Sequence, residues 1–86
     1  MSVHVELRPG AYADSVTLLQ VSRTAQGLPG VQAAQVAMAT PLNVEVLTSM
    51  GFAVPADATV NDLVVAVRLD DPHDLAEVLA GVDRAL

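Results

Sequence analysis

The sequence predicts a small α/β protein in which three strands alternate with three helices, in the order βαβαβα. Three observations predict this class. Apolar and polar residues alternate near the amino terminus, strand-like and helix-like periods follow in turn, and a continuous apolar run precedes an amphipathic carboxyl-terminal segment. We expect the 86 residues to form a single domain, 1–86, which buries only about 60% of the surface that its unfolded chain exposes.

The first half of the chain predicts a strand, a helix and a second strand. Residues 3–7 alternate between apolar and polar, and Pro9 marks the end of that strand. Apolar residues follow helical spacing over 14–26, where Asp14 is placed to cap the free amides of the first turn. Residues 31–39, after a glycine-rich turn, return to the two-residue period of a strand.

The second half predicts a helix, an apolar strand and a final helix. Thr40 is a suitable cap for a short helix over 41–50. The continuous apolar run 63–67 predicts a central strand covered on both faces. Asp71 is placed to cap a final helix. Inward-facing residues are expected to be Val46, Leu47 and Met50 in the second helix and Leu75, Val78, Leu79, Val82 and Leu86 in the third.

The alternation of strands and helices favours right-handed crossovers and therefore a single layer of about three mostly parallel strands. We expect the third strand to be central. The alternative is a ferredoxin-like α+β fold with mixed strand directions. In both arrangements the outer strands leave open edges, which are natural docking edges for another subunit.

Composition excludes several classes of function. Ten acidic residues against four cations give a net charge of -6, which disfavours binding to nucleic acid. The sequence contains no apolar stretch long enough to span a membrane and no secretory signal pattern, so we expect a cytoplasmic protein without a membrane partner. Because cysteine is absent, disulfides, thiolate metal sites and cysteine nucleophiles are excluded together.

Catalytic chemistry has little support in the sequence. Ser15 beside Asp14, with His4 or His73 elsewhere, has the residue types of a minimal serine hydrolase, which is a remote alternative. Ser15 lacks the Gly-x-Ser-x-Gly turn that exposes a nucleophile, and His4 is expected on the outward face of the first strand. We therefore expect no catalytic residues in this chain.

Ligand sites are equally sparse. The acidic cluster at 70–74 is better explained as helix capping than as a metal site, and the scattered glycines form no phosphate loop. We expect no metal and no cofactor. The candidate ligand site is the start of the second helix, where Thr40, Leu42 and Asn43 follow the end of a strand.

An ordered set of residues resembles the amino-terminal segment of FdrA proteins over about residues 1–70. FdrA proteins are similar to acyl-CoA synthetases of the succinyl-CoA ligase type and are associated with oxamate carbamoyltransferase activity in allantoin catabolism. This chain departs from the family pattern at Ala39 and Val60. The residues that carry the resemblance are Tyr12, Asp14, Ser15, Val16, Ser22, Arg23, Met38, Thr40, Pro41, Asn43, Gly51, Phe52, Asn61 and Asp62.

The resemblance implies a non-catalytic accessory or assembly module of an FdrA-type carbamoyltransferase or acyl-CoA-synthetase-like complex. The CoA-binding and ligase-like regions of the family have no counterpart in residues 1–86. Its expected partners are a second copy of itself or FdrA-like subunits. The alternative is a stand-alone sensor that binds a small metabolite at 40–43. Candidate interface residues are Tyr12, Asp14, Ser15, Ser22, Arg23, Asn61 and Asp62, with the strand edge at 3–7 and the apolar stripe of the last helix as candidate association surfaces.

Overall fold

The fold was determined as a computed structural model, which describes residues 2–86. The strands are β1 (Ser2–Pro9), β2 (Val31–Met38) and β3 (Asp62–Leu69), and the helices are α1 (Ser15–Gln26), α2 (Pro41–Ser49) and α3 (Leu75–Ala85). The predicted order of strands and helices is confirmed. The last helix begins later than expected, because a 3-10 turn at Pro72–Asp74 precedes it.

The three strands form one sheet in the order β1-β3-β2, and both strand pairs are antiparallel. The central position of β3 is confirmed, whereas the prediction of a mostly parallel sheet is wrong. The ferredoxin-like alternative fits the structure. The reason lies in α2, which is an excursion and not a crossover: the amide of Ala39 donates to the carbonyl of Asp62 at 2.9 Å, so β3 starts beside the end of β2 and runs back.

Helices α1 and α3 cover one face of the sheet and enclose the larger of two apolar clusters. The apolar stripe of α3 packs into this cluster. Val78 and Val82 are buried in it, and Leu75 and Leu79 are partly buried against it. The stripe is therefore not available as an association surface. The buried members are Leu18, Val21, Ala25, Ala34, Val36, Leu63, Val65, Val67, Leu69, Val78 and Val82.

Helix α2 covers the opposite face over a smaller cluster built around Leu47 and Phe52. The amide of Phe52 donates to the carbonyl of Leu47 at 3.0 Å, which folds the aromatic ring back under the helix. Consequently Val44 and Leu47 face the sheet, whereas Val46 is 44% exposed and its predicted inward position is wrong. Burial on both faces of β3 confirms the interpretation of its apolar run.

The predicted starts of α1 and α2 are confirmed by side-chain hydrogen bonds, whereas Asp71 caps the 3-10 turn at Pro72–Asp74 and not α3 itself. Asp14 Oδ2 accepts from the amides of Val16 and Thr17, and Thr40 Oγ1 accepts from the amide of Asn43 at 3.2 Å. Gly51, with a φ of 91°, ends α2 in the left-handed conformation that favours glycine. No helix formed by the described residues has the length and apolar character needed to cross a bilayer.

Candidate functional site

A groove of about 490 Å³ lies along the outer side of β2, between the starts of α1 and α2. A second cavity, beside α3, is smaller at about 300 Å³. The groove reaches both faces of the sheet because it follows the free edge of the strand. Its lining consists of Tyr12, Ala13, Ser15, Leu18, Leu19, Gln35, Val36, Ala37, Met38, Thr40, Asn43 and Val60.

The floor of the groove is a strand edge on which several of the outward backbone groups are already hydrogen-bonded. Ser22 Oγ accepts from the amide of Val36 at 2.9 Å, and its hydroxyl donates to the carbonyl of the same residue at 3.2 Å. Gln26 Nε2 donates to the carbonyl of Ala34, and Asn43 Nδ2 donates to the carbonyl of Met38, both at 2.9 Å. An incoming strand would have to displace these side chains, so this edge is closed to strand addition.

Three neutral polar side chains remain available to a ligand in the groove. Within residues 2–86, the side chains of Tyr12, Ser15 and Gln35 form no hydrogen bond, and Tyr12 is 79% exposed. Two hydroxyls and an amide can both donate and accept. The groove lining contains no charged side chain. Its chemistry therefore suits a neutral polar molecule with apolar edges.

The helix starts themselves are occupied by their own caps. The hydrogen bond from the Thr17 hydroxyl, followed by that from its amide, holds the pKa of Asp14 below its ordinary value. Thr40 caps α2 and Asn43 is tied to β2, although both side chains still line the groove. The side chain of Leu42, the third residue predicted at this helix start, is 69% exposed and lies outside the groove lining.

The structure separates the remaining predicted interface residues. Arg23 is exposed on α1 and forms no salt bridge within residues 2–86. Asn61 and Asp62 shape the turn before β3, where Asp62 Oδ2 accepts from the amide of Thr59 at 2.8 Å and the Asn61 amide donates to Thr59 Oγ1. Ser22 is buried at 1% exposure under the groove, so it cannot contact a partner directly.

Sequence reasoning missed Gln35, Leu19 and Val60, which complete the lining of the groove. Gln35 alternates regularly within its strand, and no local pattern indicates that the starts of α1 and α2 meet beside it. Leu19 shares the helical spacing of the apolar residues in α1, yet it is 52% exposed. Its signal in the sequence is that apolar residues lie on two sides of this helix.

The residues of the hydrolase alternative are engaged elsewhere. His4 lies beside Glu6 at 2.8 Å, and His73 lies beside Asp71 at 2.7 Å. His4 is half-buried on the α3 side of the sheet, so its predicted outward position is wrong. The hydrogen bond from His4 contributes most to lowering the pKa of Glu6, and Arg8 also lowers it. No catalytic constellation forms around Ser15 within residues 2–86.

The fold is that of a small ferredoxin-like α/β domain, and side chains line a groove along the free edge of its strand β2. No catalytic constellation lies among its described residues. The chain belongs to the family described as "AllF, heavy metal-associated domain", which matches it over residues 1–86. AllF is related to FdrA-type proteins, so the predicted resemblance is confirmed at this wider level.

One relative is the uncharacterized protein YahF of Escherichia coli (strain K12), which is 35% identical over 85 residues. The alignment covers 96% of this chain but 16% of YahF, so the chain spans about a sixth of that relative's length. No solved structure matches the chain.

The side chains of this chain do not fit a heavy-metal site. Soft metal ions are held mainly by thiolate ligands, and the sequence has no cysteine. Both histidines lie against carboxylates in separate parts of the fold. Within residues 2–86 no group of three or more histidine, cysteine, aspartate or glutamate side chains could hold an ion. The donor set therefore disagrees with the metal named in the family description.

Proposed function

We propose that this chain is a non-catalytic binding module of an allantoin-related protein and that the groove along β2 binds a small neutral amide or urea-type compound. The proposal rests mainly on the lining of the groove, where Tyr12, Ser15 and Gln35 offer unpaired donors and acceptors and no charged side chain takes part. Ligand sites with this character fix a polar molecule through a few placed groups against apolar walls.

The electrostatics favour a neutral ligand over a carboxylate. The chain carries a net charge of -6, and none of its four cations lines the groove. An anion such as oxamate would approach a negative surface and find no cationic partner. Allantoin and other carbamoyl compounds are neutral and present N–H and C=O groups that match hydroxyls and amides.

The closed floor of the groove also favours a small molecule over a peptide. A peptide that binds an exposed strand edge does so through main-chain hydrogen bonds. Here Ser22, Gln26 and Asn43 already occupy outward backbone groups of β2. A compact ligand needs only the side chains at the rim. Catalysis is not part of the proposal, because Ser15 has no base within hydrogen-bond reach among residues 2–86.

The test is a titration of the isotopically labelled chain, followed by amide chemical shifts, with allantoin, urea and oxamate added separately. We expect allantoin to shift resonances of Ser15, Gln35 and Ala37 in a saturable way and oxamate to leave them unchanged. The variants Ser15→Ala and Gln35→Ala should each weaken binding about tenfold, because each removes a hydrogen bond to a desolvated ligand.

Ser49→Ala is the matched control, since the Ser49 hydroxyl bonds to the carbonyl of Glu45 on the exposed side of α2, away from the groove lining. It should leave the affinity unchanged. Absence of saturable shifts with any neutral amide or urea compound contradicts the proposal, as does binding that the two groove variants do not weaken. Steady turnover by the purified chain, abolished in Ser15→Ala, would instead support the hydrolase alternative.

A further inference from the structure

The two outer strands of the sheet differ in what covers their free edges. On β2, the outward amide and carbonyl of Val36 are both bonded to Ser22, and the carbonyl of Ala34 is bonded to Gln26. Proteins commonly protect an edge strand in this way, so that it does not pair with a strand of another chain.

The direction of the backbone groups on β1 follows from the pairing of β3. In an antiparallel ladder the groups of successive residues point to alternate sides. Because Val36 directs its groups away from β3, its partner Val65 directs its own groups towards β1. There Val65 faces Glu6, and two residues further along Val67 faces His4. The hydrogen-bonded residues of β1 are thus the even-numbered ones.

The odd-numbered residues Val3, Val5 and Leu7 consequently direct their amides and carbonyls to the open side of β1. Within residues 2–86 no side chain or loop forms a hydrogen bond with these groups. The edge offers three amides and three carbonyls in the spacing of a strand. The side chains of these three residues are apolar, and that of Val3 is 50% exposed.

We propose that two copies of this chain pair through β1, antiparallel and about a two-fold axis at Val5. Val5 then forms two hydrogen bonds with Val5 of the other copy, and Val3 of each copy pairs with Leu7 of the other. This register places His4 of each copy opposite Glu6 of the other, on the face of the sheet that α3 covers. The two sheets join into one sheet of six strands.

The charges on β1 select the partner and the register. Outward residues pair only with outward residues, so alternative registers differ by two positions. Centring on Glu6 sets two carboxylates opposite each other and pairs Val3 with Pro9, which has no amide hydrogen. Centring on His4 sets two histidines together and leaves Glu6 opposite Ser2. The register at Val5 avoids like charges and uses all three outward amides.

The test is residue-resolved amide hydrogen exchange of the labelled 86-residue chain across a dilution series, with sedimentation measured on the same samples. We expect the amides of Val3, Val5 and Leu7 to exchange about tenfold or more slowly in the concentrated dimer than in the dilute monomer. The amides of His4 and Glu6 are internal controls, because they bond to β3 at every concentration.

A monomer at all concentrations with the three odd-numbered amides unprotected overturns the proposal. Protection of these amides in a sample that stays monomeric also overturns it, because the edge is then covered from within the chain. A dimer whose new protection lies elsewhere, for example on β2, contradicts the proposed edge. Each of these outcomes is independent of whether the groove binds a small molecule.

Charge variants test the register. His4→Glu and Glu6→Lys should each weaken self-association about tenfold, because the first sets two carboxylates opposite each other twice and the second removes both His4–Glu6 pairs across the axis. An equimolar mixture of the two should restore association as a heterodimer. Gln20→Glu and Glu45→Lys, on exposed helical positions, are controls for the same charge changes. If neither strand variant weakens association, or the mixture does not restore it, the register is wrong.

Discussion

Ser22 holds together the helix and the strand that form the floor of the groove. It is 1% exposed and satisfies both the amide and the carbonyl of Val36. We expect Ser22→Ala to lower the free energy of unfolding by about 1–3 kcal/mol, because two buried backbone groups lose their partner. Chemical denaturation measures the change.

Ser49→Ala is the control for this substitution, since it also removes a hydroxyl from a helix but at an exposed position. Its effect should stay within about 0.5 kcal/mol. Equal effects of the two substitutions would contradict the role assigned to Ser22.

Asp14 makes stability depend on pH. Its pKa is lower in the folded chain than in the unfolded chain, because the hydroxyl and amide of Thr17 donate to the carboxylate. The unfolded state therefore binds more protons in the acid range. The stabilisation is fully present above the ordinary value of 3.8 and is lost as the pH falls through the folded pKa.

Thermal melts of the wild type and Asp14→Asn over a range of pH measure this contribution. Asparagine keeps a cap acceptor but does not titrate, so the difference between the two proteins isolates the charge. We expect the wild type to be the more stable at neutral pH and its advantage to shrink in acid. An advantage that is unchanged down to the acid limit of folding would refute this assignment.

Helix α2 depends on the cap at its start. Thr40 Oγ1 accepts from the amide of Asn43, and valine cannot replace that bond. We expect Thr40→Val to cost about 1 kcal/mol of stability. Paired melts and ligand titrations distinguish capping from binding: a loss of affinity without a loss of stability would assign Thr40 to the ligand, against the capping role.

The other end of α2 is attached to the central strand by Arg68. Its Nη2 donates to the carbonyl of Met50 at 2.7 Å, and its guanidinium lies 5.3 Å from the ring centre of Phe52. Arg68→Met keeps an apolar stem but removes both interactions, so we expect a loss of about 1.5 kcal/mol in unfolding free energy. Denaturant titration is the measurement.

Arg23→Met is the matched control for Arg68, because Arg23 is exposed on α1 and has no salt bridge within residues 2–86. It should change stability by less than about 0.5 kcal/mol. A comparable loss in both variants would mean that the contacts of Arg68 do not anchor the helix.

At the scale of the whole molecule, the absence of cysteine from the sequence and of clustered histidine or carboxylate ligands among residues 2–86 predicts that soft metal ions do not stabilise the fold. A ligand that binds the folded state raises the melting temperature, and the rise grows with the logarithm of its concentration relative to Kd. We expect Zn²⁺ or Cu⁺ at modest excess, and chelator in parallel, to leave the melting temperature unchanged. A concentration-dependent rise that chelator reverses would show that the side chains of this chain do bind a metal.

Much of the local structure was predictable, because periodicity and capping depend on neighbouring residues. Asp14 and Thr40 cap the helices that their residue types predicted. The groove was only half predictable. Tyr12, Ser15, Thr40 and Asn43 were singled out individually, yet Gln35 and Val60 join them only because β2 lies at an edge.

The sequence by itself determined the elements, their order, the central burial of β3 and the absence of thiolate chemistry, since each follows from periodicity or composition. Only the tertiary structure decided the direction of β3 and the difference between the two sheet edges. Strand direction depends on where the α2 excursion returns the chain, and edge protection depends on Ser22 and Gln26 reaching across from α1. Both are contacts between residues distant in sequence, which no local pattern encodes.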